Sequence, residues 1–413
     1  MKAITNNLVK RKQIDFLKEH ANSKGVIVES NALEQGLHFE TVANFEQFIE
    51  DMPVQFYYID GDKYAYFASG KVRKLGWGSY LWESVNTYDN APIIKKMLLD
   101  GKIKTLVAYD KQAEIVGEGK ITMTSSLTVD CITCNNVMFS AKDNQIFFSE
   151  PFDPLGIGFD LKTSNVIILE QSLGNVLGLH PQDKKVIAVC EKGLVVISVG
   201  GVKEDYVVKR IDDVALDVVS GSVVGFGTSV CFVSNNKVYI FDSNNLKSFD
   251  LPKKNMSNQG NSAIYEKYYL YPIVFIPDYR MLTLAVDLTN GKIQYIDWVI
   301  GLSRNGGMAS KNNGDLLLLK SVQTEVPALC QYSSCDIDMN SSSRKRILGV
   351  QAKSKGKITI NLHGEFGTKK VYVDGLTDYK CNLVSDKITF DFSAEDNALP
   401  LENLRFIYQE KEN

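Results

Sequence analysis

From about residue 54 onward the chain is a succession of short apolar runs punctuated by Asn, Asp and Gly. Val54 to Tyr58 and Tyr64 to Phe67 flank Asp60-Gly61-Asp62. Asn136 to Ser140 and Gln145 to Ser149 flank Lys142-Asp143-Asn144, and Lys185 to Cys190 and Leu194 to Val199 flank Glu191-Lys192-Gly193. Ser229 to Val233 and Lys237 to Phe241 flank Asn235-Asn236; Met281 to Asp287 and Lys292 to Trp298 flank Asn290-Gly291. Apolar runs joined by residues that tolerate positive φ predict β-hairpins. Turns two to five centre near residues 143, 192, 235 and 290, at intervals of 49, 43 and 55. Strand pairs repeating at such intervals predict propeller blades, with stacked sandwiches as the rival all-β arrangement.

Helical spacing is confined to three places. Val9, Gln13, Phe16 and Leu17 fall on one helical face, so the first residues predict a helix. Val42, Phe45 and Ile49 predict a second over Glu40 to Asp51, ended by Pro53. Asn90 as N-cap and Pro92 near the first turn predict a third over Ala91 to Leu99. Near the other end, Asn340-Ser341-Ser342-Ser343-Arg344-Lys345-Arg346 reads as a polar linker. Beyond it, Lys357 to Leu362, Lys369 to Val373, Asn382 to Val384, Lys387 to Phe392 and Leu404 to Tyr408 predict a compact strand series. The expected class is all-β: a β-propeller-like body (53–335) with a short helical N-terminus (1–52) and a small C-terminal β-sandwich module (346–413).

Composition narrows the function classes. The 413 residues carry 46 Lys+Arg against 49 Asp+Glu, a net charge of −3, with 44% hydrophobic residues. That is ample core material for two or three domains, and it argues against long disorder and against a wholly basic nucleic-acid clamp. No apolar run approaches the roughly 18–20 residues of a membrane helix, and Met1 to Asn7 lacks a signal-peptide core, so a cytoplasmic origin is expected. Seven cysteines, an odd number, do not read as a disulfide framework.

Catalytic signals are sparse. Cys131 and Cys134, with Cys330 and Cys335, have the spacing of zinc half-sites but lie far apart and outside Gly-rich knuckles. The four histidines, His20, His38, His180 and His363, form no metal or nucleophile motif. Gly156 and Gly158 lack the rest of a dinucleotide fingerprint. Asp60, Asp62, Glu150, Asp153 and Asp160 read as turn residues rather than a glycosidase pair, and Asp336, Asp338 and Asn340 fall short of a calcium loop. No catalytic residue, metal or cofactor is therefore assigned. Two basic clusters, Lys10-Arg11-Lys12 and Arg344-Lys345-Arg346, are candidate contacts to DNA phosphates or a partner.

One stretch carries a resemblance. Asn135 to Ser140 is followed by Gln145-Ile146-Phe147-Phe148-Ser149-Glu150-Pro151-Phe152-Asp153-Pro154. The pair resembles a phrase of tail nozzle proteins of short-tailed bacteriophages, the tail tubular protein B or packaged-DNA stabilisation family, without the arginine of the first strand. Asn175 to Leu179 with Lys185 to Leu194, and Gly225 to Ser234 with Lys237 to Asp242, resemble the next two blades of that family in the same order. The likeness covers about residues 130 to 245, and Ser149, Glu150, Pro151, Asp153 and Pro154 carry its motif as structural residues. It implies a structural virion protein of the tail, made in the host cytoplasm, that forms a homo-oligomeric ring, usually a hexamer. Such a ring would join the portal adaptor to fibres or spikes and retain, then pass, double-stranded DNA. The alternative is a carbohydrate-binding or glycan-cleaving propeller with a sugar-binding C-terminal sandwich, in which Trp77, Trp82 or Trp298 would stack on sugars. A peptide-binding interaction propeller is a third reading.

Overall fold

The computed structural model describes residues 9–14, 20–24, 26–29, 31–59, 61–76, 81–99, 102–109, 112–116, 119–122, 130–150, 165–211, 215–251, 256–258, 261–275, 280–297, 299, 302–303, 307–311, 313–320, 329–338 and 343–410. All five predicted hairpins are present, as Pro53–Ile59 with Asp62–Phe67, Val137–Lys142 with Gln145–Phe148, Lys185–Cys190 with Gly193–Ser198, Ser229–Ser234 with Lys237–Phe241, and Arg280–Asp287 with Ile293–Asp297. The side chains at their turns explain why. Asp143, Asn235 and Asn236 adopt positive φ, which Asn and Asp tolerate better than other non-glycine residues.

These hairpins belong to consecutive antiparallel sheets. The first comprises Pro53–Ile59, Asp62–Phe67, Lys71–Leu75 and Trp82–Thr87, and the second Ile93–Leu99, Lys102–Tyr109, Gln112–Ile115 and Gly119–Thr122. The third holds Asp130–Cys134, Val137–Lys142, Gln145–Phe148 and Asn165–Ile168; the fourth, Val176–Gln182, Lys185–Cys190, Gly193–Ser198 and Val207–Ile211. The fifth runs from Val224–Phe226 through Ser229–Ser234 and Lys237–Phe241 to Leu246–Asp250. In the sixth, Met256–Asn258 and Ala263–Tyr265 both pair with Tyr268–Phe275, followed by Arg280–Asp287 and Ile293–Asp297. Among the described residues the seventh has Met308–Ser310 and Asp315–Lys320 from its own stretch of chain, and His38–Asn44 supplies its outer strand.

Packing joins the seven into a circuit. Apolar cores lie between first and second sheets (Tyr57, Tyr66, Val72), second and third (Leu106, Cys131, Phe147), and third and fourth (Phe139, Val176, Ile197). Others lie between fourth and fifth (Ile187, Phe232, Phe241), fifth and sixth (Val233, Tyr269, Leu284), and sixth and seventh (Leu270, Ala285, Leu317). The last core closes the seventh sheet on the first: Phe48, Phe56, Phe67 and Trp82 pack with Met308 and Leu316. The result is a propeller-like all-β ring of seven sheets among the described residues.

Two further sheets share one separate core. One contains Lys10–Gln13, Val26–Glu29, Ala32–Gln35, Lys345–Ser354, Leu376–Ser385 and Leu401–Glu410. The other contains His20–Lys24, Leu329–Ser334, Ile358–Gly364, Gly367–Val373 and Ile388–Glu395. Their facing side chains, among them Ile347, Ile360, Phe390, Phe392 and Phe406, are buried together. The five predicted C-terminal strands are all here. Leu329–Ser334, which the sequence places with the propeller body, pairs with Ile388–Glu395 instead, and four strands before residue 36 join the same two sheets.

The three predicted helices are corrected. Lys10–Gln13 is a strand paired with residues 405–408, whose backbone takes up the hydrogen bonds a helix would have made internally; residues 15–19 lie outside the described residues. Of Glu40 to Asp51 only Glu46–Glu50 is helical, because the residues before it complete the seventh sheet. Ile93–Leu99 is a strand, paired along its whole length with Lys102–Tyr109; its two β-branched isoleucines suit a strand. The predicted linker is also shorter than expected, since Lys345 begins a ten-residue strand.

Where the chain passes from the two-sheet module into the ring, the joint is tight. The buried Gln294 side chain accepts a hydrogen bond from the Leu37 backbone N–H at 2.7 Å, and a Cβ at Gly36 would lie 2.3 Å from the same oxygen. Gln294→Leu leaves that N–H without its acceptor and is expected to cost about 1–3 kcal/mol in urea denaturation. Phe48→Ala, at the closing core, is expected to cost about 3–5 kcal/mol in the same assay.

Candidate functional site

Polar groups on strands of neighbouring sheets tie the ring together. Ser310 Oγ donates to the Pro53 carbonyl at 3.4 Å, joining the seventh sheet to the first. Gln55 Nε2 donates to the Pro92 carbonyl at 3.2 Å, just before the second sheet. Lys95 of the second sheet donates to Asp130 of the third at 3.1 Å, and the same carboxylate accepts the backbone N–H of Leu179 in the fourth at 2.9 Å. His180 packs against Gly225 of the fifth, where a Cβ would lie 2.7 Å from its ring. Tyr269 of the sixth donates to the Ser222 carbonyl at 2.6 Å, just before the fifth.

Asp130 is the centre of this seam. Its buried carboxylate also accepts the Cys131 N–H at 2.9 Å, so one side chain joins three sheets and is compensated by an ammonium and two amides. Burial, then the neighbouring Lys95 charge, lowers the His180 pKa from 6.5 to about 4, so the imidazole is neutral at physiological pH. The sequence marks neither Asp130 nor Lys95, because both stand at ordinary strand positions. The seam acts as a clamp. It brings no nucleophile to a base, and the nearby thiols are unreactive: burial pushes Cys131 well up, and Cys134, Cys190 and Cys231 to about 12.

The predicted candidates fall as follows. Cys131 and Cys134 are three apart in one strand and face opposite cores, while Cys330 lies in the two-sheet core, so they do not converge on a metal. Among the described residues no cluster of His, Cys, Asp and Glu is arranged to hold a metal ion, and no helix is long and apolar enough to cross a membrane. Trp82 is in the closing core rather than on a sugar-stacking surface; Trp77 and Trp298 lie outside the described residues. Ser149 is buried and structural: its hydroxyl accepts the Met138 N–H and donates to the Glu150 carbonyl, both at 2.9 Å. Glu150 is exposed and accepts from Asn165 at 2.8 Å, while Pro151, Asp153, Pro154, Gly156 and Gly158 lie outside the described residues.

The two basic clusters, more than 300 positions apart in the sequence, meet in one sheet on either side of Leu401–Glu410. Most of their charge is engaged within the chain. Lys10 pairs with Glu410 at 2.8 Å, and Arg344 lies 3.3 Å from Asp386 and 3.5 Å from Glu365. Lys345 is fully buried and donates to the Asp386 carbonyl at 2.9 Å, and burial lowers its pKa. Arg346 donates to Asn382 at 2.8 Å; Arg11 is exposed and Lys12 half-buried.

No family model and no curated protein sequence matches the chain. Among solved structures, the extracellular domain of a one-component system from B. thetaiotaomicron is similar over 93% of this chain, at 7% identity and a TM-score of 0.47; the chain spans 62% of that domain's length. The Pan2 WD40 domain of Neurospora crassa is similar over 70% of this chain and 96% of its own, at 9% identity and a TM-score of 0.40. The AfRom2 CNH domain is similar over 70% of this chain and all of its own, at 11% identity and a TM-score of 0.42.

Two outcomes test the clamp. Asp130→Ala strands the Lys95 ammonium and two amides and is expected to cost about 3 kcal/mol in chemical denaturation. Below pH 6.5 the unfolded chain protonates His180 while the folded chain resists until about pH 4. The stability contributed by the neutral ring is therefore complete above pH 6.5 and falls on acidification, by up to about 1.4 kcal/mol per pH unit. Denaturation midpoints at pH 7 and pH 5 are expected to differ more for wild type than for His180→Gln.

Proposed function

We infer that the chain is a structural virion protein, a subunit of the tail nozzle ring of a short-tailed bacteriophage. One observation carries this reading. The three segments that resemble consecutive nozzle blades fall in the third, fourth and fifth sheets, one to each sheet and in the same order. The architecture is compatible with such a role, since a closed ring of sheets clamped by buried polar ties offers rigid surfaces for assembly. The module's two facing sheets are read as the sandwich of such a subunit, holding both ends of the described chain beside the ring.

In this reading the subunits form a homo-oligomeric ring, a hexamer by family resemblance. The ring sits between the portal adaptor and the fibres or spikes and encloses double-stranded DNA. A net charge of −3 suits a conduit, because a strongly basic wall would release counterions and hold the DNA tightly. Within the basic clusters Lys10 and Arg344 face carboxylates, while Arg11 and Arg346 are exposed candidates for a phosphate contact.

Mass measurement and negative-stain microscopy of the purified chain, alone and with the adaptor of the same tail, test the reading. A ring of defined subunit number on the adaptor is the expected result. A chain that stays monomeric with the adaptor present would overturn it.

A further inference from the structure

We propose that the two-sheet module carries a binding site for a neutral polyhydroxylated ligand, a glycan, in the cleft where three of its loops meet. The cleft has a volume of about 450 Å³ and is lined by Asp336, His363 to Glu365 and Ser385 to Thr389. That volume lies within the roughly 300–1,000 Å³ of small-molecule sites.

Its chemistry selects the ligand class. Every carboxylate at the cleft has a cation beside it: Asp336 has Lys387 at 3.2 Å, and Glu365 and Asp386 share Arg344 at 3.5 and 3.3 Å. His363 bridges Asp391 and Thr368, and Asn361 donates to Asp391 at 2.8 Å. A phosphate would face three carboxylates, and a metal ion would have to displace lysine and arginine from them. A neutral ligand that donates and accepts hydrogen bonds in alternation suits three carboxylates that already have two cations beside them.

The rim supplies the apolar half of the recognition. Phe366, beside Glu365, is 65% exposed, unusual for a phenylalanine, and the Arg344 guanidinium lies 5.0 Å from its ring centroid. The cation holds the ring in place at the cleft edge, where its exposed surface can stack on the C–H face of a pyranose. None of the three tryptophans is needed. The inference stands on the module's own geometry and is independent of the nozzle reading.

The test uses the full chain on an array of immobilised neutral oligosaccharides. The binding glycan is then titrated in solution as a free oligosaccharide and as the parent polysaccharide, with inorganic phosphate and calcium chloride titrated separately. Saturable glycan binding is expected, weakened about tenfold or more by Phe366→Ala. Glu365→Gln is expected to weaken it as well, with the thermal midpoint of both variants unchanged. Preference for the polysaccharide would identify a surface glycan as the source, and equal affinity a free sugar; either supports the site. A silent array, binding of phosphate or calcium in place of glycan, or full affinity in both variants would overturn it. Because ring assembly is read by mass, failure here leaves that separate measurement untouched.

Discussion

The ladder between His38–Asn44 and Asp315–Lys320 holds the ring shut. Without it the seventh sheet would be a two-stranded ribbon with an open edge, a marginal element in water and a template for unwanted pairing. With it, the seventh sheet gains an outer strand, and Phe45, Phe48 and Trp82 gather at the seam with the first sheet. The partners are far apart in the chain: Asn44 pairs with Asp315. Such a contact closes a loop of about 270 residues and carries the loop-closure entropy that goes with it.

The same closure explains where polar groups are tolerated inside. A ring of sheets packs apolar faces between neighbours, and a few polar groups lie among them. Asp130, Gln55, Ser310 and Tyr269 satisfy backbone or ammonium partners across the sheet boundaries. Gly225 gives the His180 ring its space. Asp130 and Ser310 find partners on neighbouring sheets, and Gln55 and Tyr269 in the backbone just before one, so these bonds register the sheets against one another.

The two-sheet module depends on the ring in turn. Its strands come from both ends of the described chain, and the hairpin Val26–Glu29 with Ala32–Gln35 leads directly through Gly36 into the closing strand. Gln294 of the sixth sheet fixes that passage. Pairing of Lys10–Gln13 with Leu401–Glu410 then locks the two ends of the described chain into one sheet. This arrangement brings the two basic clusters side by side and places Arg344 against Glu365, Asp386 and Phe366.

Local chemistry made much of this protein legible in advance. Hairpins such as Val137–Lys142 with Gln145–Phe148 follow from alternating apolar runs and from Asn and Asp at positive φ, all decided within about a dozen residues. Their recurrence announced a propeller-like body, and the C-terminal strands were visible for the same reason. The N-terminal segments were not. Val9 to Leu17 has helical spacing, but strand pairing with residues 405–408 outweighs a weak local preference, and His38–Asn44 is claimed by Asp315–Lys320. Asp130 was invisible because nothing in its neighbourhood distinguishes a buried clamp from a turn carboxylate; only the approach of Lys95 and Leu179 from other sheets gives it a role. The sequence by itself determined the hairpins of the body and the C-terminal strands, since period and turn chemistry act locally. Tertiary structure alone decided ring closure, the union of the two ends, and which charges are buried or paired, because those energies depend on partners brought in from other sheets.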